Sequence, residues 1–216
     1  MPRSVTIRRR SRGFSLVEVL VVIGILALLI ALLMPAISKA RLNARKVVCS
    51  ANLKQVYQAL LLYSQSNNDW MFPVGLGAGL AKEKRWPNIV FSPPQWNPPS
   101  LRCPADADPA EEHSYVLNSH LPDYKIRFSI TRGVSSSDVI LIGEKKSSEP
   151  DYYMDARDGD LDRVVEYYRH GFYVGSNYTY LDGHVASRTP EDLKKVIDPW
   201  DPIINTPAAP PPPNPG

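Results

Sequence analysis

Apolar and polar residues alternate in three different ways along this chain. From Val19 to Ser38 there is no charged residue at all: VLVVIGILALLIALLMPAIS. As a helix these 20 residues rise about 30 Å, the thickness of a bilayer hydrocarbon core. A buried core helix normally shows a polar face, and this run has none. A cleavable secretory signal is the rival reading, with Ser38-Lys39-Ala40 as a small-x-small site, but such signals carry a shorter apolar run of about 7–15 residues. Past the run, the apolar residues narrow to one helical stripe, Cys49, Leu53, Val56, Tyr57, Leu60 and Leu61. The stripe fades at the turn formers Ser66-Asn67-Asn68-Asp69. The pattern predicts one helix from about Phe14 to Ser66, with its second half packed on a compact domain. Pro35 removes one helix hydrogen bond and predicts a kink.

After residue 69 the periodicity changes. Residues 73–122 contain nine prolines, so regular structure is expected to be sparse there, with Trp70, Phe72, Trp86, Phe91 and Trp96 lying on the core. Ser114–Leu117, Asp138–Ile142 and Val164–Tyr168 read as strands. Asn177–Leu181 and His184–Arg188 flank Asp182-Gly183, which predicts a hairpin with a two-residue type I′ turn. Thr189, Pro190 and Asp192 form the start signal of a short helix. These elements predict an α+β fold: a long N-terminal membrane-spanning helix packed on a small antiparallel β-sheet domain. The expected divisions are 1–13, 14–38, 39–68, a β-rich head over 69–206, and a proline-rich, disordered tail over 207–216.

The overall composition is that of an ordinary soluble protein, with a formal net charge of +3 over 216 residues. Its distribution is uneven. Residues 1–13 carry five Arg and no acid, residues 14–38 only Glu18, and residues 39–54 five basic residues and no acid. Residues 69–216 are net acidic, with 15 basic and 21 acidic side chains. A basic N-terminal third can signal nucleic acid, but an apolar span inside it makes a membrane the simpler partner, and no nucleic acid is expected. The arginine leader favours a cytoplasmic N-terminus, against a second basic cluster at Lys39, Arg41, Arg45 and Lys46 that is expected near lipid headgroups or acidic neighbours.

The residues opening the run are the most specific. Arg12-Gly13-Phe14-Ser15-Leu16-Val17-Glu18 places a lone carboxylate at the edge of a membrane helix, where an unpaired, inserted acid costs about 2.5–3.5 kcal/mol. Cleavage between Gly13 and Phe14 would create an α-amino cation, which a neighbouring copy shifted along the helix axis could bring to Glu18. GFSLVEVLVVIGILALL resembles the class III signal of type IV prepilins and type II secretion pseudopilins. The resemblance implies that a prepilin peptidase cuts after Gly13 and methylates Phe14, and that Glu18 serves subunit assembly. The partners it implies are copies of the chain or other pilins in a filament, that peptidase and an inner-membrane assembly platform. Further on, the Cys49 segment, Leu101-Arg102-Cys103-Pro104 and the stretch from Arg169-His170-Gly171 to Asp182-Gly183-His184 resemble a group of bacterial prepilin-like proteins described by a His, nine residues, then Asp-Gly. Here eleven residues separate His170 from Asp182.

An exported domain meets an oxidising compartment, where Cys49 and Cys103 are expected to pair; two buried free thiols are the alternative. The bridge would close a loop of about 55 residues, worth roughly 4 kcal/mol in the chain-entropy model. Asp155, Asp158, Asp160 and Asp162 surround Gly159 and suggest a calcium site, although Arg157 interrupts them and no terminal Glu follows; a solvated acidic turn is the plain reading. His170 and His184 flank the hairpin and either approach each other or each satisfy a hydrogen bond. Seven Tyr within residues 152–180 read as cross-strand packing. No phosphate loop, GxSxG or HExxH occurs.

The expected role is therefore a structural, non-enzymatic subunit of a type IV pilus or type II secretion pseudopilus. It would sit in a bacterial inner membrane as a single-pass protein, with its C-terminal domain in the periplasm or exterior. A membrane-tethered periplasmic binding protein that forms no filament is the alternative, and a hydrolase secreted by a classical signal peptide is a third.

Overall fold

The computed structural model describes residues 15–69, 85–91, 98–120, 135–154, 161–193 and 200. The chain divides into two compact units, Met1–Arg41 and Leu42–Gly216. Helix α1 runs from Leu16 to Ser66, and Pro35 lies inside it without breaking it. Ser15 caps it. The Ser15 N–H donates to Glu18 Oε2 at 2.9 Å, which is half of a capping box in which Ser is followed three residues later by Glu. At the far end, Asn67 Nδ2 bonds the Tyr63 carbonyl, and Asn68 and Asp69 take positive φ, which terminates the helix.

The second unit is built on a five-stranded sheet in the order β3-β1-β2-β4-β5, with β1 Tyr115–Asn118, β2 Ile140–Glu144, β3 Tyr153–Met154, β4 Ser176–Tyr180 and β5 Val185–Arg188. Pairing is antiparallel except between β1 and β3, which run parallel with Leu117 opposite Tyr153. The sheet is thus mixed at one edge, where a purely antiparallel one was expected. Short helices fill in the connections: α2 Trp86–Val90, α3 Leu161–Val164 and α4 Pro190–Leu193. Thr189 Oγ1 donates to Asp192 Oδ2 at 3.0 Å and accepts the Asp192 N–H, so the start signal of α4 is realised.

Both faces of the sheet are covered, which is why β1, β2 and β4 are buried along their whole lengths. On one face Tyr115, Leu117, Leu141 and Tyr153 pack with Cys49, Leu53, Val56 and Leu60 of α1. On the other, Val116, Ile140, Met154, Tyr178 and Tyr180 pack with Trp200. A register shift between Ile140 and Ile142 governs the phase of β2. Strand side chains alternate between faces, so this irregularity is what lets Ile140 join the far cluster while Ile142 joins the helix side. Two residues on, Glu144 follows Ile142 onto the helix side. Gly143 falls on the far face, where a Cβ would lie 2.7 Å from the Trp200 ring.

Two expectations are corrected. Val164–Tyr168 is not a strand: Val164 closes α3 and Val165 makes only an isolated bridge to Lys145. The run is β-prone, but its backbone is claimed by the helical turn that bonds the Val165 N–H to the Leu161 carbonyl. The hairpin turn is also longer than two residues. Gly183 N–H bonds the Tyr180 carbonyl, Tyr180 N–H bonds the His184 carbonyl, and only Gly183 has positive φ, +85°. That is a three-residue loop with Gly in the left-handed position rather than a type I′ pair. Trp86 is buried and Phe91 partly so, whereas Trp70, Phe72 and Trp96 lie outside the described residues.

This turn is held against α1. Lys54 Nζ donates to the Gly183 carbonyl at 2.5 Å and Tyr57 Oη to the Leu181 carbonyl at 3.3 Å. Burial, then the Asp182 carboxylate, raises the Tyr57 pKa, so its hydroxyl stays a donor. A Cβ on Gly183 would stand 2.3 Å from the Tyr57 ring. Gly171 is a natural control, with φ +111° but open space around it. Gly183→Ala is therefore expected to cost about 2–4 kcal/mol in denaturant unfolding, and Gly171→Ala only about 1 kcal/mol. Equal losses would remove the steric role of Tyr57.

Candidate functional site: the N-terminal helix and a buried cluster at Cys49

Among the described residues, α1 is the one helix long and apolar enough to cross a membrane. Its large hydrophobic side chains from Leu16 to Ile37 are all exposed, Val19 and Ile37 least at 48%. Thirteen Leu, Ile or Val residues lie between Val19 and Ser38. At about 0.3–0.6 kcal/mol each on an insertion scale, they favour a membrane by roughly 4–8 kcal/mol. On the same insertion scale the Glu18 carboxylate opposes this by about 2.5–3.5 kcal/mol, less than the apolar run contributes.

Glu18 is exposed at the first turn, where the helix dipole favours an acid. One carboxylate oxygen takes the Ser15 N–H, and the other has no partner among the described residues. The capping box Ser15-Leu16-Val17-Glu18 is legible in the sequence, and it gives Glu18 a local role beside the assembly role expected for it. Gly13 and Phe14, the expected cleavage and methylation positions, lie outside the described residues.

Comparison with known proteins bears on this segment. Residues 8–34 match the family model described as the prokaryotic N-terminal methylation motif. The chain carries a prepilin-type N-terminal methylation motif. It is 32% identical over 84 residues to the type IV wide pilus major component PilA4 of Thermus thermophilus, an alignment covering 39% of this chain. The chain spans 64% of that relative's length. No solved structure matches it.

A second group of side chains converges inside the globular unit. Cys49 of α1 and Cys103 form a disulfide, with Cα atoms 4.9 Å apart and both residues fully buried. Asn52 Nδ2 donates to the Arg102 carbonyl at 2.8 Å beside it, tying the same two segments. His170 lies against the bridge, its Nε2 4.0 Å from Cys103 Sγ and 2.9 Å from Glu144 Oε1. Glu144 Oε2 accepts the Asn177 N–H at 2.9 Å. Asn177 is fixed in turn by Ser187, whose Oγ donates to Oδ1 at 2.6 Å.

His184 is elsewhere: Nδ1 is 2.6 Å from Asp182 Oδ1 and the ring stacks on Tyr180. The two histidines do not meet, and each has its own partner. Sequence reasoning missed Glu144, whose only signal is an acid closing the apolar run Val139-Ile140-Leu141-Ile142-Gly143.

Of the four acids in the calcium reading, Asp155, Asp158 and Asp160 lie outside the described residues. Asp162 is exposed on α3, and its carboxylate is hydrogen-bonded by the Tyr167 hydroxyl. Close by, the buried Lys145 ammonium donates to the carbonyls of Ala110 and Glu149. Burial pulls its pKa down to about 8 against the opposing pull of Asp106 and Asp151. Arg169 pairs with Asp106 at 3.3 Å and also bonds the Lys145 carbonyl.

The disulfide closes a sequence separation of 54 residues between α1 and the segment packed on it. Its reduction in the presence of a metal chelator is expected to lower unfolding free energy by about 4 kcal/mol in the chain-entropy model. Denaturant titrations of the oxidised and reduced protein measure this difference. An unchanged midpoint would contradict a stabilising role for the bridge.

Proposed function

We propose that the chain is a structural subunit of a type IV pilus or type II secretion pseudopilus and acts as the substrate of an enzyme rather than as one. In this reading Arg3–Arg12 stay on the cytoplasmic side of the inner membrane while residues 19–38 span it. Prepilin peptidase cuts after Gly13 and methylates Phe14. The subunit then joins copies of itself or other pilins through residues 14–38, with the help of an inner-membrane platform. The observation that carries the reading is the methylation motif over residues 8–34, whose part from Leu16 onward lies on a helix with its apolar side chains exposed. A bilayer covers them before assembly, and neighbouring helices cover them afterwards. The open oxygen of Glu18 is then available to the α-amine of a neighbour, which removes the cost of an unpaired carboxylate in an apolar setting.

A second reading, a membrane-tethered binding protein without a filament, draws support from the turn after α3. Tyr168 and Phe172 stack there at 5.2 Å, and Tyr173 is 92% exposed. Glu18→Ala separates the two. The filament reading expects normal cleavage by N-terminal mass spectrometry and a loss of about tenfold or more from the sheared filament fraction, the scale of one charge-assisted contact. Wild-type recovery of this variant in filaments would sink the assembly role of Glu18. Absence of the wild-type chain from any filament, with no cross-linked neighbours, would favour the tether.

A further inference from the structure

A disulfide is an apolar cross-link and makes no demand for polar company. Yet Glu144 is fully buried and His170 95% buried beside the one joining Cys49 to Cys103. Burying a carboxylate and an imidazole has a cost that must be offset by specific partners. The ligand atoms of the four residues, two Sγ, one carboxylate oxygen and one imidazole nitrogen, all lie within 4.8 Å of one another.

The orientation of the two non-sulfur ligands is set by their neighbours. Asn177 Nδ2 donates one hydrogen to the Lys46 carbonyl at 3.2 Å, a group that can only accept. Asn177 Nδ2 also lies 3.1 Å from His170 Nε2, the same ring nitrogen that is 2.9 Å from Glu144 Oε1. Glu144 is held from behind by the Asn177 N–H on Oε2, leaving Oε1 turned to His170. Nε2 and Oε1 thus sit 2.9 Å apart beside two sulfurs, and Glu144 is braced from outside through Oε2 in the manner of a carboxylate ligand to a metal.

We propose that in the thiol state Cys49, Cys103, His170 and Glu144 form a tetrahedral zinc site, so that metal and disulfide are alternative occupants of one cross-link. The donor set is two soft thiolates, one imidazole and one carboxylate, which suits zinc and not calcium or magnesium. The conversion balances with a dithiol as reductant. The S–S bond accepts two electrons and two protons from the dithiol, which becomes a cyclic disulfide, and Cys49 and Cys103 become thiols. Zinc then displaces the two thiol protons as two S–Zn bonds form, while Oε1 and the Nε2 of a neutral His170 carrying its proton on Nδ1 complete the tetrahedron. Either occupant ties α1 to the Cys103 segment, so the reduced chain holds the same two segments together before oxidation as after it. The proposal does not depend on filament assembly.

The test uses the full chain in detergent, reduced with dithiothreitol, desalted anaerobically and titrated with Co(II) and then Zn(II). The reduced protein is expected to bind one equivalent of Co(II), with visible bands of tetrahedral cobalt and near-ultraviolet thiolate charge transfer, and Zn(II) is expected to displace it. The oxidised protein should bind none at this site. His170→Asn and Glu144→Gln should each weaken binding about tenfold or more and alter the cobalt spectrum. Absence of a stoichiometric thiolate–cobalt band in the reduced protein overturns the proposal, as does an unchanged affinity and spectrum in His170→Asn. Should the variants fail to fold, zinc X-ray absorption of the reduced wild-type protein decides: two sulfur and two nitrogen or oxygen ligands support the site, and any other shell refutes it.

Discussion

The globular unit depends on one contact, the seating of the α1 stripe Cys49, Leu53, Val56, Tyr57 and Leu60 on one face of the sheet. A two-faced sheet whose main strands are wholly buried must be covered on both sides, and this stripe supplies one cover. Its positions are fixed by helical spacing, so whatever it touches must present matching surfaces. Cys103 meets it at one end through a covalent bridge, and the Leu181–Gly183 turn meets it nearer the middle through Lys54 and Tyr57. Gly183 is small because the Tyr57 ring occupies the space a side chain would need.

The same helix carries, from Leu16 to Ile37, apolar side chains on every face. An amphipathic stripe satisfies a protein core, whereas an all-round apolar surface calls for lipid or other helices. The chain therefore assigns its two helical segments to different surroundings by composition alone. Glu18 is the single exception in the first segment. Its place in the first turn lets it cap the helix with one oxygen and keep the other open.

The buried polar cluster behind the disulfide shows how strongly local irregularity controls chemistry. Glu144 reaches the helix side of the sheet because the register shift between Ile140 and Ile142 rephases the strand. Regular alternation from Ile140 would place it with Trp200 on the opposite face. Asn177 then serves several partners at once, donating its backbone N–H to Glu144 and its side-chain hydrogens to Lys46 and toward His170. Four chain segments far apart in sequence are thereby drawn around one point.

By itself the sequence determined the elements whose signals are local. The charge-free run and its opening Gly13-Phe14 to Glu18, the stripe ending near Ser66, the β4–β5 hairpin and the cap of α4 all rest on spacing within a few turns or residues. It also held the capping box at Ser15, a local signal that the assembly reading of Glu18 overshadowed. What only the tertiary structure decided was non-local or depended on competition between local preferences. The parallel pairing of β3 with β1, the end of α3 at Val164 in place of a strand over Val164–Tyr168, the three-residue loop at Gly183 and the meeting of Glu144 and His170 at Cys103 belong to that class. Residue spacing encodes a period along one element. It does not encode which distant element will claim a strand edge, or on which face a bulge will leave an acid.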